Sequence, residues 1–416
     1  MSATSSVAQL GDSPRRRYYA GRDLRRVRDV GDLRAMAHRR MPRFVLEYLE
    51  GGAEREQSLQ RDRAAYDEWR FVPRQLVDVS RRSLAAQLLG RMAPMPLVVA
   101  PTGLNGLFVH HGDVELAKAS ARAGVPFVQS TMSNDRMEDV GRVPGLRHWW
   151  QLYLFGGEEV WQELLRRADA AGCEALLLTT NAQIFGRREW SARTRVGRSR
   201  PSLQTIVDAA LHPRWIASTL VAGGGLPAFA NVVDFVPRDQ RGFFETAFWI
   251  RDHQPQSMDW ASVARIRQRW RRPFLLKGLL HEDDVRRALD AGVDGIVLGT
   301  HGGRQLDSCV SALDVLPAAR RIVGGRMAIY ASGGVRCGTD LLKALALGAD
   351  AVLAGRAPLY GLCAAGAAGA AKALELLHGE AHDALGLLGA NSVGELGPRF
   401  LARLGATAAL PATICG

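Results

Sequence analysis

Apolar residues along this chain recur in two rhythms. Between Val30 and Tyr48 they fall at helical spacing, at Leu33, Met36, Met41, Phe44, Val45 and Tyr48, and the pair Gly51-Gly52 stops the helix this predicts. From Pro96 the rhythm changes to short continuous apolar runs of strand length: Pro96–Pro101, Pro126–Ser130, His148–Leu152, Ala175–Thr180, Pro273–Lys277, Gly295–Gly299, Met327–Ser332 and Ala351–Gly355. Most are separated by stretches of helical periodicity, such as Gly112–Ala123, Gly157–Ala171, Glu282–Ala291 and Thr339–Leu347. Repeated strand-then-helix units predict a parallel α/β sheet. Eight of them favour a closed TIM (β/α)8 barrel over an open doubly wound sheet, and no glycine-rich dinucleotide fingerprint follows the first strand.

The rest of the chain is arranged around that core. Residues 1–27 are polar and basic, with Arg15-Arg16-Arg17, and are expected to form a loose or disordered arm. Residues 28–95 form an N-terminal helical segment, 96–375 the barrel, and 376–416 C-terminal helices and a tail, with Ala365 to Leu404 reading as two closing helices. Residues 182–272 break the rhythm. They read as an insertion after strand four, placed to carry a lid over the site. Within it Leu211–Val236 is moderately apolar, suited to packing on a neighbour or lying at a membrane surface.

Composition narrows the class. The 54 Lys+Arg exceed the 42 Asp+Glu, for a net charge of +12, yet only Lys118, Lys277, Lys343 and Lys372 are lysines. The charge is spread rather than clustered, which argues against a nucleic-acid partner while leaving the protein attractive to anionic substrates and membrane surfaces. Five scattered cysteines with no C-x-x-C pair suggest neither a disulfide framework nor a metal site. No signal-peptide core is visible and no apolar run reaches the ~18 residues of a membrane span. The expectation is a cytoplasmic protein whose one membrane contact would be peripheral, through the insertion.

In such a barrel the chemistry sits at the C-terminal ends of the strands. Those ends carry Pro101-Thr102-Gly103, Ser130, Gln151 with Tyr153, Thr179 with Asn181, Lys277, Thr300-His301-Gly302-Gly303-Arg304, Ser332-Gly333-Gly334-Val335-Arg336, and Gly355-Arg356. A His that titrates near neutrality beside an Arg that forks onto carboxylates suits removal of a proton from a substrate held by its acid group. Glycine amides with Arg336 and Arg356 on the last two loops suit a phosphate. Lys277 ends an apolar strand, where an ammonium is costly without an anion such as a reduced flavin.

These residues carry a resemblance. Tyr48-Leu49-Glu50-Gly51-Gly52-Ala53-Glu54, Pro101-Thr102-Gly103-Leu104-Asn105-Gly106, Trp150-Gln151-Leu152-Tyr153, Lys277-Gly278, His301-Gly302-Gly303-Arg304-Gln305-Leu306-Asp307, and Gly333-Gly334-Val335-Arg336 with Gly355-Arg356 resemble the FMN-dependent L-2-hydroxy acid oxidase and dehydrogenase family over about Val30 to Gly361. The mandelate-oxidising members are the most similar. The resemblance implies FMN as cofactor and His301 as base. It implies Arg304 and Arg188 as the carboxylate clamp, Tyr48 and Tyr153 on the carboxylate and hydroxyl, and Lys277 beside the reduced flavin. Pro101, Thr102, Gly103, Ser130, Gln151 and Thr179 would meet the ring system or ribityl chain, and Ser332, Gly334, Arg336, Gly355 and Arg356 the phosphate end. Gly103, Met132 and Phe185 would shape a side-chain pocket roomy enough for an aromatic group. A small-molecule 2-hydroxy acid, an acceptor that is oxygen, a quinone or another carrier, and a homo-oligomer such as a tetramer complete the picture.

Four positions depart from the family pattern: Asn181 for an Asp behind the base, Thr300 for an Asn, Ser332 for an Asp opening the phosphate loop, and Cys337 for a second Arg. Two readings follow. One is oxidation of an aromatic (S)-2-hydroxy acid to the 2-oxo acid. The other keeps FMN but oxidises an amino-bearing or carrier-linked intermediate, as a tailoring step in biosynthesis.

Overall fold

The computed structural model describes residues 18–189, 195–196 and 200–404. Eight parallel strands close into a barrel. In chain order they are β1 (Leu97–Val99), β2 (Phe127–Ser130), β3 (His148–Leu152), β4 (Ala175–Thr179), β5 (Phe274–Leu279), β6 (Gly295–Leu298), β7 (Ala328–Ser332) and β8 (Ala351–Ala354). β8 pairs with β1 and β4 with β5, so no edge is left. The strands read as unbroken apolar runs because both faces are covered. Val98, Val128, Trp149, Leu177, Leu275, Val297, Tyr330 and Leu353 fill the interior, while their neighbours Leu97, Val99, Trp150, Leu176, Leu178, Leu276 and Ile296 pack under the helices. Full burial of one such side chain contributes about 1.5–3 kcal/mol. An antiparallel hairpin, Ala86–Leu88 with Arg91–Ala93, plugs the lower mouth, its Leu88 joining the interior group.

The N-terminal segment differs from the expectation of one helix between Val30 and Tyr48. There are two, α1 (Val30–Arg40) and α2 (Arg43–Glu50), because Pro42 forces Met41 into extended backbone. A third, α3 (Gln57–Asp67), follows Gly51-Gly52. Tyr18–Val27, placed by the sequence in a loose arm, packs on α1: the Tyr19 amide donates to Asp32 at 2.6 Å and Val27 is fully buried. The Arg15-Arg16-Arg17 triplet and Cys415 lie outside the described residues.

Described residues of the chain between β4 and β5 lie against the loops at the C-terminal mouth. That stretch includes helices at Leu203–Ala210, Pro213–Trp215 and Phe243–Asp252, and ends in a regular barrel helix at Trp260–Arg269. The Trp215 indole donates to the Leu107 carbonyl at 2.8 Å and Asn134 to Ala228, which fastens this segment to the loops after β1 and β2. At the far end one long helix, Arg356–Leu387, breaks at Ala365 and Gly366. Two closing helices between Ala365 and Leu404 are therefore not seen. Beyond Leu387 come two short turns and a strand, Leu401–Arg403, paired with Trp69–Phe71.

Candidate active site

The strand ends surround a cavity. Tyr48, Pro101, Thr102, Gly103, Ser130, Met132, Tyr153, Phe185, Arg188, Lys277, His301, Arg304, Ser332, Gly334, Arg336, Gly355 and Arg356 all line it. Of the residues singled out from sequence, Gln151, Thr179 and Asn181 do not. Gln151 and Thr179 lie one layer deeper, in a buried relay: the Ser130 hydroxyl donates to Gln151 Oε1 at 2.9 Å, and Gln151 Nε2 donates to Thr179 Oγ1 at 3.0 Å.

His301 opens a tight turn. His301, Gly302 and Gly303 all have left-handed backbone, with φ of 61°, 68° and 71°. For a side-chain-bearing residue this is strained, and such strain persists where surrounding structure enforces it. Thr300 Oγ1 accepts the Gly303 amide at 2.9 Å, holding the turn from inside. Behind the ring, Asn181 Oδ1 lies 3.3 Å from His301 Nδ1, while Asn181 Nδ2 donates to the Gly299 carbonyl at 3.3 Å. The amide is thereby oriented, so Nδ1 carries the ring proton and Nε2 presents its lone pair to the cavity. There it accepts from the Tyr153 hydroxyl at 3.0 Å. Asn181 comes this close because Gly278, at a bulge in β5 with φ of 110°, lacks a Cβ; one would sit 2.4 Å from the Asn181 side chain.

The electrostatics are one-sided. Burial, then Lys277, Arg188, Arg304 and Arg356, hold the His301 imidazole well below its usual range, so it is a neutral base at physiological pH. Burial draws Lys277 down to about 8, against the pull of Asp62. Burial also raises the Tyr153 phenol, which keeps its proton.

The arginines divide their donors. Arg304 Nη1 donates to the carbonyls of Tyr48 and Gly51, while Nη2 is buried without a partner. An unpaired guanidinium N–H facing a cavity is a ready half of a carboxylate site. Arg356 donates to the carbonyls of Leu49, Glu50, Gly51 and Gly302, tying down the C-terminus of α2, whose open carbonyls need donors. Arg336, near the Tyr360 ring, uses Nη1 on the Val335 carbonyl. Tyr48 donates its hydroxyl to the Gly103 carbonyl at 3.0 Å, leaving only its acceptor capacity for a ligand.

The comparisons with known proteins agree with this geometry. A family model described as FMN-dependent dehydrogenase matches residues 37–403. The chain belongs to the FMN-dependent dehydrogenase family. It is 39% identical to (S)-mandelate dehydrogenase of Pseudomonas putida, over 92% of this chain and 96% of that protein. It is 36% identical to L-lactate dehydrogenase of Caulobacter sp. (strain K31), over 91% and 99%. A solved structure described as monotopic membrane protein (S)-mandelate dehydrogenase superposes with a TM-score of 0.85 at 38% identity, covering 91% of this chain and 100% of that one. This FMN-dependent dehydrogenase is thus a flavoprotein acting on 2-hydroxy acids. One end of its cavity carries glycine loops and arginines whose chemistry would fit the FMN phosphate, and Arg304 has an unpaired guanidinium nitrogen in the wall. Sequence reasoning missed Leu49, Phe108, Leu353 and Leu359 in the wall, since buried apolar residues carry no chemical signal, and Asp62 behind it.

Proposed function

We propose that the protein oxidises an aromatic (S)-2-hydroxy acid of the mandelate type to its 2-oxo acid. Arg304 Nη2, with Arg188 beside it, holds the carboxylate. His301 Nε2 takes the proton from the substrate's 2-hydroxyl or C2, in the place where it now accepts from Tyr153. Tyr153 orients the substrate through its hydroxyl, and Tyr48 reaches the carboxylate by turning its O–H away from the Gly103 carbonyl. FMN, when bound, accepts the electron pair leaving the substrate. Lys277 holds positive charge beside the ring system, Pro101, Thr102 and Ser130 would line it, and Gly334, Arg336, Gly355 and Arg356 frame the phosphate end. Gly103, Met132 and Phe185 form the side-chain recess; a Cβ at Gly103 would lie 2.8 Å from the Met132 Cβ, so the glycine lets the Met132 loop pack closely against it.

The observation that carries this reading is that the lining includes Lys277 and four arginines and, among the described residues, no carboxylate. The ammonium of an amino-bearing substrate would be repelled there even as its carboxylate was held, and a carrier-linked acid would leave the Arg304 donor unpaired. Anaerobic bleaching of the flavin tests it. (S)-mandelate or 4-hydroxymandelate should bleach faster than L-lactate, and 2-phenylglycine not at all. Equal or faster bleaching by lactate refutes the aromatic preference, and bleaching by the amine favours the second reading.

Asn181 sets the pace of that chemistry. An amide keeps the bond to Nδ1 but supplies no charge to the imidazolium formed in turnover. A charge-assisted bond exceeds a neutral one by roughly 1–2 kcal/mol, and 1.4 kcal/mol is a factor of about ten. Asn181→Asp is therefore expected to speed flavin reduction about tenfold in stopped flow; an unchanged or slower rate refutes this account.

We further propose peripheral membrane contact through the segment after β4. Leu203, Leu211 and Val221 are more than 70% exposed there, beside Ile206, Val207 and Leu226. No helix of the described residues is long and apolar enough to cross a membrane. Exposed apolar side chains in a segment rich in arginine support docking on the cytoplasmic face of an anionic bilayer, where a quinone would be at hand as acceptor in place of oxygen. Co-sedimentation with anionic vesicles should be lost in Leu203→Asp/Leu211→Asp while soluble-acceptor turnover is retained. A homo-oligomer completes the proposal and is checked by light scattering.

A further inference from the structure

The two arginines facing the substrate end of the cavity come from loops 116 residues apart, Arg304 after β6 and Arg188 after β4. One side chain ties those loops together. Gln305, next to Arg304, is 5% exposed and stands behind the cavity wall rather than in it. Its Nε2 donates to the main-chain carbonyls of Asn181 at 2.9 Å and Ile184 at 3.0 Å. Its Oε1 accepts the Gly186 amide at 3.3 Å and Arg188 Nη2 at 3.5 Å. Carbonyls accept and amides donate, so the carboxamide can face only one way, and in that orientation its N–H groups and its oxygen are all used. Arg188 Nε also donates to the Arg304 carbonyl at 3.5 Å. The arc from 181 to 188 is pressed onto the same backbone: a Cβ at Gly186 would lie 2.5 Å from the carbonyl oxygens of both Arg304 and Gln305. From another side the Glu54 amide donates to the Arg187 carbonyl at 2.9 Å. On this arc Asn181 backs His301, while Phe185 and Arg188 line the cavity.

We propose that Gln305 is a positioning residue for substrate recognition: it holds the Arg188 guanidinium at a fixed spacing from Arg304, so that the two forks meet one carboxylate already aligned. This rests on the reading of Arg188 and Arg304 as the carboxylate clamp. A free arginine side chain gives up rotamer freedom when it closes on a ligand, and that loss weakens binding. Anchored beforehand through Nη2 and Nε, Arg188 has less to lose. Glutamine suits the post chemically. An ionised Glu could not donate to the two carbonyls, and Asn is shorter by a methylene.

The test is a double-mutant cycle on the holoenzyme, read by stopped-flow flavin reduction with (S)-mandelate, or with L-lactate if that bleaches faster. Gln305→Met fills much the same space without hydrogen bonds. It should raise the half-saturating substrate concentration about tenfold and leave the limiting reduction rate within about threefold of wild type. Arg188→Met should raise half-saturation as well. Adding Gln305→Met to Arg188→Met should then change it by less than about twofold, because the glutamine acts through the arginine. Effects that multiply in the double variant overturn the proposal. So does a limiting rate that falls while half-saturation stays put, which would mean loosening behind His301 and no link to the clamp. An Arg188→Met variant that saturates like wild type refutes the clamp reading itself, and the proposal falls with it. Should Gln305→Met fail to retain FMN, Gln305→Glu takes its place. Its carboxylate still accepts from Gly186 and pairs with Arg188 in competition with the substrate, so half-saturation should again rise about tenfold, and not in the Arg188→Met background. Unchanged half-saturation in the variant that holds FMN overturns the proposal.

Discussion

Replacing His301 with Gln should slow anaerobic flavin reduction by about 10²–10⁴-fold, the range for loss of a positioned general base. Gln approximates the length of the ring and can still face Asn181, so substrate binding should change only a few-fold. The wild-type pH profile should carry the same signature. The base works in its neutral form, and burial with four neighbouring cations holds its titration well below 6.5, so the acid limb lies on the far side of that value. Going upward, Lys277 loses its proton as pH passes about 8, and the rate should fall there. Stopped-flow reduction measured across pH 5–9 checks both limbs. A rate that climbs between pH 6.5 and 8 would mean that the imidazole is not held down, and a His301→Gln rate within tenfold of wild type would remove the base from the mechanism.

Arg304→Met should lower kcat/KM for an aryl 2-hydroxy acid by about 10²–10³-fold. Leaving a buried carboxylate without its partner costs about 3–5 kcal/mol, or roughly two to nearly four powers of ten, and Arg188 beside it keeps the loss toward the lower end. The Nη2 group bears that loss directly, because it is free to meet the ligand. Nη1 adds a second component, since it secures the carbonyls of Tyr48 and Gly51. The two can be told apart: added guanidinium should rescue KM, but not any loosening of α2. Arg304→Lys should not restore the activity, since an ammonium is a point charge and cannot serve α2 and the ligand with one planar fork. Full activity in Arg304→Lys would show that charge alone suffices.

Much of this was legible in the chain. Strands buried on both faces are written as continuous apolar runs, so β3 was located to the residue and the others to within about two residues at each end. A barrel puts its chemistry at the strand ends, so His301, Lys277, Arg304 and the glycine loops could be named together. Helix boundaries were less legible where one proline decided them, as at Pro42. The resemblance assigns Gln151 and Thr179 to the cofactor; what the sequence does not show is that their side chains bond to each other and to Ser130 in one buried relay. Asp62 left no local trace. It lies on a polar helix among other acids and bases, and what distinguishes it is a contact with Thr300, 238 residues away. Nor does any pattern of spacing reveal that Arg356 commits its donors to carbonyls at the end of α2.

That last arrangement limits how the molecule can be taken apart. Arg304 and Arg356 are anchored to main-chain oxygens that belong to the first fifty-one residues, and the Gly333 loop is braced by the Tyr66 hydroxyl at 3.1 Å. A barrel expressed from Pro96 onward would therefore keep its catalytic letters but lose the frame that aims them. Chimeras between this enzyme and its relatives should be joined elsewhere, because a crossover between α3 and β1 splits one binding pocket between two parents.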